Sequence, residues 1–250
     1  MKKNNNDKNT IMEQSNYKRR YVDVAFHKIY EINFTEKGND IYRPGMCRYY
    51  KGCLYIMDYS NMKIAQISFD KDIKSHKIAY IGMGKGQCPG EFINPTDMKI
   101  YKDKIYIADP FRATIEIYTL KNEYSGSINI PKSKSPLRIT LYDNKIVVEP
   151  QSYMKGKMFC LCDIDGHVLN EYGSYYGENM QNPLINDNVV SNVINNDEYY
   201  YFPIARGIVG KYKNDTLMFT KYTVDGKRKT FEVLKKEIMK GMYGSKLESL

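Results

Sequence analysis

Gly82-Met83-Gly84-Lys85-Gly86-Gln87-Cys88-Pro89-Gly90-Glu91-Phe92-Ile93-Asn94-Pro95 is a Gly/Pro-rich loop, and the residues after it decide the fold. Residues 97–101 read as a short strand, Lys102-Asp103 as a turn, and residues 104–108 as a second strand ending in Asp109-Pro110. Thr114-Ile115-Glu116-Ile117-Tyr118 alternates with the period of two expected of a half-buried strand, and residues 127–130 close the unit.

The same order recurs on both sides of this segment. Upstream, Arg43-Pro44 lead into residues 46–50, a Lys51-Gly52 turn, residues 53–57 and Asp58, with outer strands at 63–69 and 77–81. Pro44 to Asp58 is 14 residues, and so is Pro95 to Asp109. Downstream come Pro136, residues 137–142, the Asp143-Asn144 turn, residues 145–148 and Glu149, at a spacing of 13. A fourth, weaker copy has strands at 189–194, 199–202, 208–212 and 217–224. Four strands in roughly 45 residues is the size of a propeller blade. One such sheet cannot bury both its faces, so neighbours stack and share a core, and ring closure protects the strand edges. The sequence therefore predicts an all-β chain, a β-propeller of four-stranded antiparallel blades.

Four blades are countable. A six-bladed ring at about 40–45 residues per blade needs about 240–270 residues, so the expectation is a nominally six-bladed propeller that is incomplete. Residues 21–34 read as one or two further strands able to pair with the C-terminal region. The expected organisation is a basic, disordered tail over 1–20, the propeller over 21–230, and a short helix or tail over 231–250, where residues 231–242 carry apolar positions three to four apart.

Composition agrees with a folded β domain. The chain has 250 residues, 42% hydrophobic and 27% charged, with 24 Tyr, 9 Phe and no Trp. Tyr favours strands and can keep one end of its ring wet. The net charge of +9 is concentrated at the ends: residues 1–20 carry six Lys/Arg against two acids, and residues 221–250 eight against four. The nearly neutral body argues against a phosphate-binding face, leaving nucleic-acid binding through the basic ends as a minor alternative. The five cysteines, Cys47, Cys53, Cys88, Cys160 and Cys162, have neither disulfide-framework nor zinc spacing and read as small buried hydrophobes. No apolar run reaches the ~18–20 residues of a membrane span. The opening Met1-Lys2-Lys3 is basic but lacks a following apolar run, so it does not read as a signal peptide, which suggests either a cytoplasmic protein or a missing export segment.

Residues 84–92, then Pro95 and Ile105-Tyr106-Ile107-Ala108-Asp109, resemble the NHL repeat, and more closely the six-bladed, TolB-like propellers of Bacteroides-type bacteria. Residues 199–226, with Tyr199-Tyr200-Tyr201-Phe202 and Asn214-Asp215-Thr216-Leu217, are similar to a later blade of those proteins. The resemblance spans about residues 40–226 and implies the cell envelope. Members of that family usually carry a lipoprotein signal and run longer than this chain.

Blade-to-blade loops and loops between second and third strands emerge on one face, which collects Arg43, Asp58, Tyr59, Asp97, Asp109, Arg112, Glu149 and Arg206. Loops on a rigid scaffold carry function, so this face is the expected binding surface for a protein, peptide or glycan. Asp58 and Asp109 also suit a structural role, because a carboxylate at a strand end can accept bonds from turn N–H groups. The glycines of residues 82–90 are not followed by Lys-Ser/Thr or a helix, so they read as a blade crossover rather than a phosphate cradle. Tyr199–Tyr201 read as core packing more readily than as a stacking platform. His27, His76 and His167 have no partner at catalytic spacing, and no nucleophile elbow or His-Glu-x-x-His is present. No catalytic residue, cofactor or metal is assigned. The alternative enzyme reading is a metal-dependent hydrolase or lyase with Asp97, Asn192 and Glu149 at the central channel, by analogy of fold.

Overall fold

Three hairpin turns set the register of the sheets. In a computed structural model, both central residues of Lys51-Gly52, Lys102-Asp103 and Asp143-Asn144 take positive φ. That is the turn whose twist matches the flanking strands. The structure describes residues 25–32, 41–150, 157 and 159–172, and the backbone of the strands between 189 and 222.

Among the described residues, sixteen strands form four antiparallel sheets, each of four consecutive strands in chain order. The first sheet comprises β1 (Pro44–Tyr50), β2 (Cys53–Asp58), β3 (Lys63–Phe69) and β4 (His76–Ile81). The second comprises β5 (Asp97–Tyr101), β6 (Lys104–Asp109), β7 (Thr114–Thr119) and β8 (Tyr124–Asn129). The third comprises β9 (Pro136–Tyr142), β10 (Lys145–Pro150), β11 (Phe159–Asp163) and β12 (Val168–Tyr172). The fourth comprises β13 (Val189–Asn195), β14 (Glu198–Pro203), β15 (Ile208–Lys213) and β16 (Thr216–Tyr222). The fold is an all-β propeller of four-stranded blades, with no α-helix among the described residues. No described helix is long and apolar enough to cross a membrane.

The chain divides into two compact units: residues 20–152 with 162–169, and residues 1–19 with 153–161 and 170–250. In the first, the sheets stack through a shared core. Tyr55, Met57, Ile64 and Ile81 of the first sheet meet Met98, Ile105, Ile107 and Tyr118 of the second, with Phe92 of the crossover between them. These residues sit two apart along their strands, so each sheet turns one pleated face to its neighbour. The other face of the first sheet buries Ile56, Ala65 and Ile67 against Ile41. In the second unit, the Phe159 and Tyr172 rings pack with centroids 5.5 Å apart.

The expected strand over 21–34 is not found among residues 25–32, which form no ladder. Tyr30 instead docks on the first sheet, its hydroxyl 2.8 Å from His76 Nδ1 and its ring edge-on to Phe69. His76 is the first residue of β4, not part of the polar stretch that precedes it. The 1–20 tail and the 231–242 helix lie outside the described residues.

Candidate functional site

Asp58 and Asp109 end the second strands of two successive sheets, and both are fully buried. Asp58 accepts from the backbone N–H of Tyr42 and Arg43, at 3.3 and 3.0 Å, and from Ser60 N and Asn61 Nδ2. Asp109 accepts from Ile93 N at 2.7 Å and from Asn94 N, shared between its two oxygens at 3.3 Å. The clasp is the same in both blades: each carboxylate holds the two N–H groups 16 and 15 residues before it. Buried backbone donors need partners, so these two acids satisfy the segment leading into each blade. Glu149 takes the corresponding place at the end of β10, buried and opposite Arg138 in the ladder.

Asp97, at the start of β5, joins three successive blades. It receives Arg48 Nη2 of β1 at 2.9 Å, its neighbour's Met98 N at 2.8 Å, and Ile139 N of β9 at 3.0 Å. Arg48 also donates to the carbonyls of Met98 and Cys47, each at 2.8 Å. Lys99 Nζ approaches Asp97 at 3.7 Å. Burial holds the Lys99 ammonium below the ordinary lysine value, Asp97 opposes this, and Arg48 and Arg138 reinforce it.

Tyr59 and Arg43 stand on the same side of the first blade as Arg48. Tyr59 lies half-buried near Asp97, Arg43 and Arg48. Burial pushes its hydroxyl above the usual phenol value, Asp97 adds to this, and the two arginines oppose it. The Arg43 guanidinium sits over the Tyr59 ring, 5.9 Å from its centroid. The ring lies flat against Gly45, where an added Cβ would come within 2.0 Å of Cε2. Glycine at 45 is therefore a steric requirement for the position of Tyr59.

Of the residues expected on one face, Arg43, Tyr59 and Asp97 come together. Asp58 and Asp109 are tied into the backbone. Arg112 is bound elsewhere, donating to Glu91 O at 2.6 Å and Cys88 O at 3.3 Å and facing buried Glu116 at 3.3 Å. Arg206 lies outside the described residues, and only the backbone of Asn192 is described. The Asp97 oxygens are occupied by Arg48 and two N–H groups, which argues against the channel-metal reading. The Gly-rich crossover turns its N–H groups inward: Met83 N to Gly90 O, Phe92 N to Gly84 O and Gly86 N to Phe92 O. Those donors are not available to cradle a phosphate. Cys160 and Cys162 are buried in β11 as expected of small hydrophobes, but Cys47 and Cys88 are exposed and Cys53 is half-buried, so that reading fails for these three.

Sequence reading missed Arg48, Lys99 and Arg138. The signal was present for two of them: Arg48 and Lys99 each stand three residues before a hairpin turn, at Lys51 and Lys102, and so share one repeat position. It also missed that, at the β11–β12 turn around Asp165-Gly166, ligand atoms of Asp163, Asp165 and His167 fall within 4.8 Å of one another. There Asp163 accepts from the N–H groups of Asp165 and His167 and pairs with His167 Nδ1 at 2.9 Å, which is turn chemistry on an exposed hairpin.

No family model matches the sequence, and no curated protein matches it significantly. Solved structures do. One is a protein of Bacteroides fragilis assigned as exported, with TM-score 0.56 and 13% identity over 76% of this chain and 52% of that one. A member of the DUF4221 family from Bacteroides vulgatus gives 0.51 and 11%, covering 74% and 59%. A catalytically inactive virginiamycin B lyase from Staphylococcus aureus, with quinupristin, gives 0.52 and 17%, covering 76% and 58%. This chain is thus similar in fold to propellers of which it spans between 52% and 59% of the length.

Proposed function

We propose that the chain is a non-catalytic binding propeller that recognises a protein, peptide or glycan through the loop face around Arg43 and Tyr59. One observation carries this reading. Three of the four acids expected on that face, Asp58, Asp97 and Asp109, are occupied by backbone N–H groups and by Arg48. What the face turns outward is an arginine stacked on a tyrosine. Arg and Tyr dominate interface hot spots because they offer large contact area with polar ends. The NHL-like motif of residues 84–109 supports a place among TolB-like six-bladed propellers, with the propeller domain taken as residues 21–230. Likeness to an exported Bacteroides protein supports the cell envelope as its compartment.

Peptide and glycan arrays probed with the purified chain test the reading. Binding should fall at least tenfold in the Arg43→Ala/Tyr59→Ala double variant, while its urea midpoint stays near that of the parent. Turnover of a bound compound, abolished by substituting an acid of the described blades without loss of folding, would overturn it.

A further inference from the structure

Among the described residues, cations stand over the rings of Tyr50, Tyr59 and Tyr101. Lys51 Nζ lies 5.4 Å from the Tyr50 ring centroid, Lys102 Nζ 5.3 Å from that of Tyr101, and Arg43 Cζ 5.9 Å from that of Tyr59. In the two lysine pairs the charged end is already committed. Lys51 donates to Asp103 Oδ1 at 2.6 Å, and Lys102 to Asn144 Oδ1 at 2.7 Å. Arg43 differs. Its backbone is tied on both sides: its N–H donates to Asp58 Oδ1 at 3.0 Å, and its carbonyl accepts from Tyr59 N at 3.0 Å. Its guanidinium is exposed, and among the described residues it has the Tyr59 ring and no hydrogen bond or ion pair. The acids nearby are occupied elsewhere. Buried Asp58 holds four N–H donors, from Tyr42, Arg43, Ser60 and Asn61, and buried Asp97 holds Arg48, Met98 N and Ile139 N. The charges about the Tyr59 ring balance, Arg43 and Arg48 against Asp58 and Asp97, so no excess field draws an anion there. What stays open is the outer side of a guanidinium seated on a held ring. Such a group is weakly hydrated and stacks on aromatic faces, and the attraction grows as water is excluded. A segment already fixed by its own backbone bonds loses little freedom on binding.

Resting on the binding reading above, we propose that Arg43 is the specificity determinant of the loop face and takes an aromatic side chain of a peptide ligand, stacked on the open side of its guanidinium. The guanidinium then lies between Tyr59 and the ligand ring. Asp58 and Gly45 are positioning residues: the first holds the backbone on either side of Tyr59, and the second leaves room for its ring.

The probe is the blocked peptide acetyl-Gly-Trp-Gly-amide, titrated with the full chain. The chain has no Trp, so indole fluorescence excited beyond tyrosine absorption reports the peptide alone. Binding should be saturable. The phenylalanine analogue should displace the probe, while the leucine and aspartate analogues should not. Arg43→Met keeps the stem, loses the cation, and should weaken binding at least tenfold. Lys51→Met, which removes the committed cation over Tyr50, should leave it unchanged. Circular dichroism confirms that each variant is folded. Absence of probe binding, displacement by the leucine or aspartate peptide as readily as by the phenylalanine one, or equal weakening by Lys51→Met overturns the proposal. Array capture of a glycan, or of peptides without aromatic residues, that is lost in the Arg43→Ala/Tyr59→Ala variant would refute the aromatic site and leave the binding reading intact. Probe binding that depends on Arg43, beside silent arrays, would do the reverse.

Discussion

Replacing Asp109 by Ala should cost the protein a large part of its stability without bearing on ligand affinity. Asp109 is fully buried, and its carboxylate is the acceptor for two backbone N–H groups. Bonds to a charged acceptor are each worth about 1.5–3 kcal/mol, and a donor orphaned in the interior forfeits its desolvation as well. The 2.7 Å bond from Ile93 belongs at the upper end of that range, and the shared 3.3 Å bond from Asn94 at the lower. Together they give about 4 kcal/mol, against total stabilities of about 5–15 kcal/mol for typical domains. Urea unfolding followed by far-ultraviolet circular dichroism reads the change as a lower midpoint at unchanged slope. Asp109→Asn keeps one acceptor oxygen and should lose about half as much. A loss below about 1 kcal/mol for the Ala variant would mean that the N–H groups find other acceptors and that the clasp is not what holds the segment.

Gly45→Ala drives a methyl into the Tyr59 ring, and it should abolish any Tyr59-dependent binding while leaving the sheets folded; unchanged affinity would show that the ring is not held there. Ile107→Ala opens a cavity in the core shared by two sheets and should cost about 2–5 kcal/mol in urea unfolding; a smaller loss would indicate that the sheets do not interlock at this point. Tyr118, whose hydroxyl donates to Gly90 O, is pushed up to about 12 first by burial and then by Glu116. Its folded value lies above the unfolded one near 10, so the neutral phenol is the folded form. That stabilisation is complete below about pH 10 and falls away as pH rises towards about 12, by on the order of 2 kcal/mol. Tyr118→Phe should flatten this alkaline loss, and an unaltered alkaline profile in the variant would refute the assignment. Lys51→Met removes an exposed bond to Asp103 and should leave the urea midpoint unmoved.

Blade boundaries were legible because punctuation recurs at fixed spacing. Lys51-Gly52, Lys102-Asp103 and Asp143-Asn144 could be read as turns, and all three are. The equal Pro-to-Asp spacings of 14 residues mark the same clasp in two blades, formed by Asp58 and Asp109. Residues 25–32 misled for the opposite reason. Their apolar and aromatic residues suit a strand, but a ladder also needs a neighbouring edge, and here Tyr30 finds its partners in side chains of β3 and β4. The site was half legible. Arg43 and Tyr59 could be placed by loop topology alone. Asp97 was assigned to the same surface, yet its partners Arg48 and Ile139 stand 49 and 42 residues away on other blades. No local pattern announces contacts of that range, which follow from sheet stacking and not from spacing along one strand.

That stacking, with Asp97 as the tie between successive blades, is most directly tested by a double-mutant cycle on Arg48→Met and Asp97→Asn. Arg48 is about one-third exposed at its side chain, so the pair is screened in part and the coupling in urea unfolding should be about 1–2 kcal/mol. Free energies that add to within about 0.3 kcal/mol would mean that the two residues do not meet. The first and second blades would then not be joined there.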